Sequence, residues 1–163
     1  MTLQVVDIDI LKLKVDAVVN AANVDLKEGG GICGQIFEKA GRDKLKEACQ
    51  KLSPIKPGQA VLTDGFDLYQ KYIIHAVGPI YNEIYKEACQ KILEDAYKNA
   101  LELAKKNKIN SIAFPLISAG IYGYPDREAF MIAKNTIDEF LKENKMYIYL
   151  STYGKDMLSL IMG

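Results

Sequence analysis

The sequence has no tryptophan, one histidine, three cysteines and no net charge. Each shortage excludes something. A single histidine, His75, leaves little from which to build a zinc site, so neither a resident metal nor metal catalysis is expected. Cys33, Cys49 and Cys89 are odd in number, far apart and form no CxxC pair. They describe no disulfide framework and favour a reducing cytoplasm. Lysine plus arginine equals aspartate plus glutamate, 21 of each, with no basic cluster of the kind that phosphate-backbone recognition uses. Nucleic acid is therefore a minor reading. No apolar run approaches the ~20 residues that span a bilayer. The N-terminus, MTLQVVDIDILKLK, has neither a basic leader nor a small-residue cleavage site, so no membrane role is expected.

What is present fits a globular chain. Its 163 residues are 49% hydrophobic and 26% charged, which suits one domain with one core, spanning residues 1–163. Short apolar runs read as strands at Leu3–Asp7, Ala17–Val19, Ala60–Leu62, Tyr72–Val77, Ser111–Phe114 and Met146–Leu150. Helical spacing appears at Gln35–Ala40, Asp43–Lys51, Ile84–Lys106 and Asp126–Glu143, the last opened by Pro125 at a position that needs no N–H. The alternation predicts an α/β fold: a three-layer α/β/α sandwich around a mixed, largely parallel sheet. The apolar end Leu160–Gly163 is expected either to pack as a last helix or to meet a further segment.

Ligands of such sheets sit beyond the carboxyl ends of the strands, and two of those connections are rich in glycine. One runs Asn20-Ala-Ala-Asn23 and then Gly29-Gly30-Gly31-Ile32-Cys33-Gly34. The other runs Pro115-Leu-Ile-Ser118-Ala119-Gly120-Ile121-Tyr122-Gly123-Tyr124. Glycine lets backbone approach a ligand closely, and successive N–H groups beside a helix N-terminus make an anion nest. Either loop alone is more simply a tight connection. Together they could close on both sides of a diphosphate. Neither carries the lysine of a phosphate-binding P-loop or the GxGxxG of a dinucleotide fold.

The runs Asp16-Ala-Val-Val-Asn20-Ala-Ala-Asn23 with the following glycines, Ile74-His75-Ala76-Val77-Gly78-Pro79, and Ile112–Gly123 resemble the signatures of the macrodomain family. The resemblance covers nearly the whole chain, from about Asp9 to Leu150, in the same order. It implies a cleft for ADP-ribose, as ligand or product, with no further cofactor. It implies that Asp9 meets the adenine amine and that Ile10 packs beside the ring. Asn23 would contact the distal ribose. Gly30, Gly31, Ile32 and Cys33 would line one side of the diphosphate and distal ribose, and Ser118, Ala119, Gly120, Ile121 and Tyr122 the other. Ser151–Tyr153 would flank the adenine. The residues expected to serve catalysis are Asn23, Cys33 and Tyr122.

The activity implied is hydrolysis of mono-ADP-ribosyl esters on acidic side chains, or deacetylation of O-acetyl-ADP-ribose, by substrate-assisted attack of water. The alternative is a non-catalytic reader of ADP-ribosylated proteins. One hydrolase group has aspartate at the position of Cys33, and a thiol is a poorer base at neutral pH. Related viral members hydrolyse with cysteine or alanine there. Ile8 and Glu28 stand where glycine, or at 28 a basic residue, is common in the family. A monomer is expected. His75 is read as a hydrogen-bonded core residue, Cys49 and Cys89 as core fillers, Asn20 as a brace for its loop, and Lys105, Lys106 and Lys108 as a solvated helix end.

Overall fold

The computed structural model describes residues 2–162. Strand β2 (Ala17–Ala22) shows why helices must cover both faces of the sheet. Val18 and Ala22 point into one buried cluster and Ala17 and Val19 into another, so neither face can be left to water. The first cluster is closed by α1 (Gly31–Ala40) and α2 (Arg42–Gln50), through Ile36, Phe37, Leu45 and Cys49. The second is closed by α3 (Lys86–Lys106) and α4 (Asp126–Leu141), through Leu93, Tyr97, Phe130 and Ile137. The remaining elements are β1 (Leu3–Val6), β3 (Ala60–Asp64), β4 (Tyr72–Val77), β5 (Ser111–Phe114), β6 (Tyr147–Ser151) and α5 (Met157–Met162). Short 3-10 turns lie at Ile10–Lys12 and Glu83–Tyr85.

The six strands order as β1-β6-β5-β2-β4-β3, parallel throughout except for β3 against β4. This is the expected α/β/α sandwich with a mixed, largely parallel sheet. From β2 the chain moves to β4 on one side, and from β5 to β6 on the other. The sheet therefore has its topological switch point between β2 and β5, where a crevice opens at the carboxyl ends.

Several boundaries differ from the sequence reading, each for a physical reason. Strand β2 continues past Val19 to Ala22 because Asn20 sits in register with His75 of β4, and their side chains bond each other. Helix α1 starts at Gly31, not Gln35, so the glycine-rich run forms its first turn. The helix expected from Ile84 begins as a 3-10 turn capped by Asn82 and becomes α3 at Lys86. The apolar C-terminus does pack as a helix, with Leu160 buried, while Gly163 lies outside the described residues. Lys105, Lys106 and Lys108 are solvated at the end of α3.

Candidate functional site

The carboxyl ends of β1, β6, β5, β2 and β4 open into one cleft of about 460 Å³, a size typical of small-molecule sites. Strand order lays it out. Asp9, Ile10 and Ser151–Tyr153 follow β1 and β6; Pro115–Tyr122 follow β5; Ala21–Asn23 and Gly29–Cys33 belong to β2 and its connection; Gly78 follows β4. Four strand spacings of ~4.8 Å give roughly 19 Å from end to end, which suits an elongated ligand. Every binding residue expected from the sequence lines this cleft: Asp9, Ile10, Asn23, Gly30, Gly31, Ile32, Cys33, Ser118, Ala119, Gly120, Ile121 and Tyr122.

The loop after β2 is held by side chains. The Asn23 amide bonds the backbone of Lys27 twice: its Oδ1 accepts from Lys27 N–H at 3.0 Å and its Nδ2 donates to the Lys27 carbonyl at 2.8 Å. Cys33 Sγ reaches the same carbonyl at 3.6 Å. Burial pushes the Cys33 thiol up from its ordinary pKa, only partly offset by hydrogen bonds from Asn20 and the Gly29 backbone, so it is a neutral thiol. Gly30 and Gly31 lead straight into α1 with no side-chain cap. The N–H groups of Gly31, Ile32 and Cys33 have no acceptor among the described residues, leaving the helix N-terminus open to an anion. At the back of this loop a Cβ on Gly34 would lie 2.7 Å from the Gly29 carbonyl oxygen, so the turn closes only on glycine. Glu28 is turned outward and pairs with Arg42 at 2.9 Å on the surface.

The loop after β5 is shaped by backbone. Ser118 adopts a left-handed φ of 68°, uncommon outside glycine, and its hydroxyl donates to the Pro79 carbonyl at 2.8 Å. That contact needs Gly78: a Cβ there would meet Ser118 Oγ at 2.1 Å and Ile117 Cγ2 at 2.6 Å. Ile117 N–H donates to the buried Tyr97 hydroxyl, and Tyr124 N–H to the Ser118 carbonyl. The N–H groups of Ser118, Gly120, Ile121 and Tyr122 have no acceptor among the described residues. Ile121 leans across so that its Cδ1 lies 3.4 Å from where a Gly30 Cβ would stand. Tyr122 lines the cleft half-buried, its carbonyl accepting from Tyr81 N–H.

At the other end, Asp9 is buried and caps the 3-10 turn, its Oδ1 accepting from Leu11 N–H at 3.0 Å. Oδ2 bonds no described residue, so the cap leaves one acceptor oxygen uncommitted. Ser151 donates its hydroxyl to the Ile8 carbonyl and accepts from Tyr153 N–H, which fixes the β1 and β6 ends together. Asp9 and Lys155 are the charged residues that line the cleft. Lys155 is one that sequence reasoning missed. It donates to the Ala119 carbonyl at 3.3 Å and pairs with Asp126 at 3.1 Å, tying the β6 end to the loop after β5. Nothing in its local sequence announces that contact. Gln35 also lines the cleft without having been singled out, whereas Ser151–Tyr153 line it as expected.

Asn20 does not line the cleft. It lies behind it, 1% exposed, with Nδ2 directed at His75 Nδ1 (3.1 Å) and Cys33 Sγ (3.6 Å). It braces the start of α1 from within β2, where the sequence reading had placed it in a loop. His75 is a fully buried core histidine, as expected, and burial pushes its pKa down to about 4. Cys49 and Cys89 are buried as well, and all three cysteines are free. Among the described residues no group of histidine, cysteine and carboxylate side chains is placed to hold a metal, and no helix is long and apolar enough to cross a membrane.

Comparison with known proteins agrees with this architecture. The family model for the Macro domain matches residues 19–133. A macro domain-containing protein of Methanosarcina mazei is 45% identical over 91% of this chain and 79% of its own length. An O-acetyl-ADP-ribose deacetylase of Cronobacter turicensis is 41% identical over 94% of this chain and 90% of its own. ADP-ribose glycohydrolase MACROD2 of Homo sapiens is 48% identical over 83% of this chain, which spans only 32% of that protein. Among solved structures, an Oceanobacillus iheyensis macrodomain with ADP superposes with a TM-score of 0.90 at 40% identity, covering 97% of this chain and 86% of that one. With its family model matching more than half its length and its fold shared with such structures, the chain belongs to the macro domain family.

Proposed function

We propose that this protein binds ADP-ribose in the cleft and hydrolyses mono-ADP-ribosyl esters of acidic side chains or O-acetyl-ADP-ribose. The observation that carries this reading is the convergence of uncommitted backbone N–H groups from both loops, those of Gly31–Cys33 and of Ser118 and Gly120–Tyr122, on one crevice. Such donors fit a diphosphate without arginine, in keeping with the balanced charge of the chain. In this reading the free Oδ2 of Asp9 accepts from the adenine amine, Ile10 packs on the ring, and Ser151–Tyr153 flank it. The relatives named as a glycohydrolase and a deacetylase support hydrolysis over mere reading.

Asn23, Cys33 and Tyr122 surround the distal ribose. Cys33, held as a neutral thiol, is no general base. In the mono-ADP-ribosyl ester, a phosphate oxygen of the substrate takes the proton of a water whose oxygen bonds the anomeric carbon. The bond from that carbon to the acceptor's ester oxygen breaks, and its electron pair leaves with the carboxylate. Orientation is the protein's contribution: Asn23 and Tyr122 set the ribose face, and well-oriented reactions gain up to ~7–11 kcal/mol that way. The free, buried cysteines favour a reducing compartment such as the cytoplasm. The chain is taken to act as a monomer without a metal or other cofactor.

Incubation with a protein mono-ADP-ribosylated on glutamate or aspartate tests the reading. Time-dependent release of ADP-ribose that disappears in Asn23→Ala is the expected result. Tight ADP-ribose binding with no release from either substrate would make the protein a reader.

A further inference from the structure

A line of buried hydrogen bonds runs behind the cleft, and its direction can be deduced from one end. Thr63 on β3 donates its hydroxyl to the Asp64 carbonyl at 3.1 Å, and a carbonyl can only accept. Having one proton, Thr63 then accepts from His75 Nε2, 2.9 Å away, and Cys49 Sγ, 3.9 Å from the same nitrogen, is a second, weaker acceptor for that N–H. His75 is therefore protonated on Nε2 and bare on Nδ1. Asn20 lies 3.1 Å from that bare nitrogen and must present its amide N–H group there. The second hydrogen of the same amide points to Cys33 Sγ, so the sulfur accepts and the S–H turns to the Lys27 carbonyl. That carbonyl is also the one held by Asn23. The arrangement leaves Asn20 Oδ1 buried without a partner among the described residues. A flipped amide would instead strand two donors and set an oxygen against the bare Nδ1.

We propose that His75 is a positioning residue: through Asn20 and Cys33 it holds the Lys27 carbonyl, and with it the Asn23 loop, in the geometry the reaction uses. The inference rests on the hydrolase reading above for the meaning of that geometry. His75 touches no ligand, since it lies fully buried on the α1 side of the sheet. Its neutrality follows from burial, which keeps the ring uncharged, with a single N–H, at neutral pH. Cys33 in this scheme is an anchor with both its acceptor and its donor occupied, which explains how a thiol serves at the head of α1.

Because His75 is the sole histidine, its tautomer can be read directly from long-range proton–nitrogen NMR correlations of the labelled protein. We expect the Nε2–H tautomer, unchanged between about pH 6 and 8. A Nδ1–H ring would overturn the relay. Kinetics then compare His75→Phe, which removes the acceptor, with His75→Asn, whose Oδ1 can stand in for Nδ1. His75→Phe should lose kcat on the order of a hundredfold, the scale of a small misplacement of reacting groups. KM should move far less, and His75→Asn should recover most of the loss. Alkylation of Cys33, mapped by mass spectrometry, should accelerate in His75→Phe and not in His75→Asn. Equal turnover and equal Cys33 labelling in the two variants would refute the proposal. Should His75→Phe fail to fold, Thr63→Val is the substitute, expected to mix the tautomers and raise Cys33 labelling; a pure Nε2–H ring with unchanged labelling would count against the relay. If the wild type releases no ADP-ribose, the hydrolase reading fails while tautomer and labelling still decide the relay.

Discussion

The two loops that face each other across the cleft are built on opposite plans. The loop after β2 is anchored by side chains: Asn23 grips Lys27, Cys33 shares that carbonyl, and Asn20 and His75 stand behind them. The loop after β5 is shaped by its backbone: a left-handed Ser118, close contact over Gly78, and turns closed by main-chain bonds. Both carry N–H groups beside the crevice that have no acceptor among the described residues. The difference teaches where each loop is vulnerable. The first can be disturbed from a distance through buried polar partners. The second is vulnerable chiefly to added atoms or a changed φ, with side-chain support from Tyr97 and Lys155.

Substitutions can break that contrast. Asn23→Ala should have the largest effect, removing an oriented group at the ribose and costing ~2–4 kcal/mol in the activation barrier, as measured by single-turnover release of ADP-ribose. ADP-ribose affinity should fall much less, so a parallel loss of both would mean that Asn23 serves binding alone. A pH effect comes next. The His75 pKa is lowered on folding, so the unfolded chain takes up the proton first and stability falls as pH drops from about 6.5 towards about 4. Between pH 6.5 and 5 the loss should be about 2 kcal/mol, read from urea unfolding, and His75→Phe should flatten it. A profile equally steep in that variant would assign the slope elsewhere.

Gly78→Ala should strain the second loop from behind, costing ~1–3 kcal/mol in stability and weakening ADP-ribose binding. Retained affinity at wild-type stability would show that Ser118 can shift freely. Thr63→Val, remote from the ligand, should cost about 1 kcal/mol in stability. It should disturb the first loop and leave the amides of Ser118–Tyr122 unmoved in NMR spectra.

Much of this was legible in the sequence because it is local. Alternation of apolar strands and helices announced the sandwich, and the Asn20–Asn23 and Pro115–Tyr124 runs announced the cleft. What escaped depends on partners far along the chain. Asn20 reads as a loop residue because it is polar, until His75, its neighbour in register on β4, supplies an acceptor inside the sheet. Gly31–Gly34 read as loop because glycine disfavours helices, yet close packing of Gly34 on the Gly29 carbonyl sets them in the first turn of α1. Lys155 meets its partners at the cleft, Asp126 and the Ala119 carbonyl, from 36 positions beyond Ala119 in the chain.

The most direct test of the central claim, that free backbone donors of both loops hold the diphosphate, is an NMR titration of the labelled protein with ADP-ribose. The amides of Gly31, Ile32, Cys33, Ser118, Gly120, Ile121 and Tyr122 should shift together and saturate at one affinity. Saturable shifts confined to other surfaces, or to one loop alone, would contradict it.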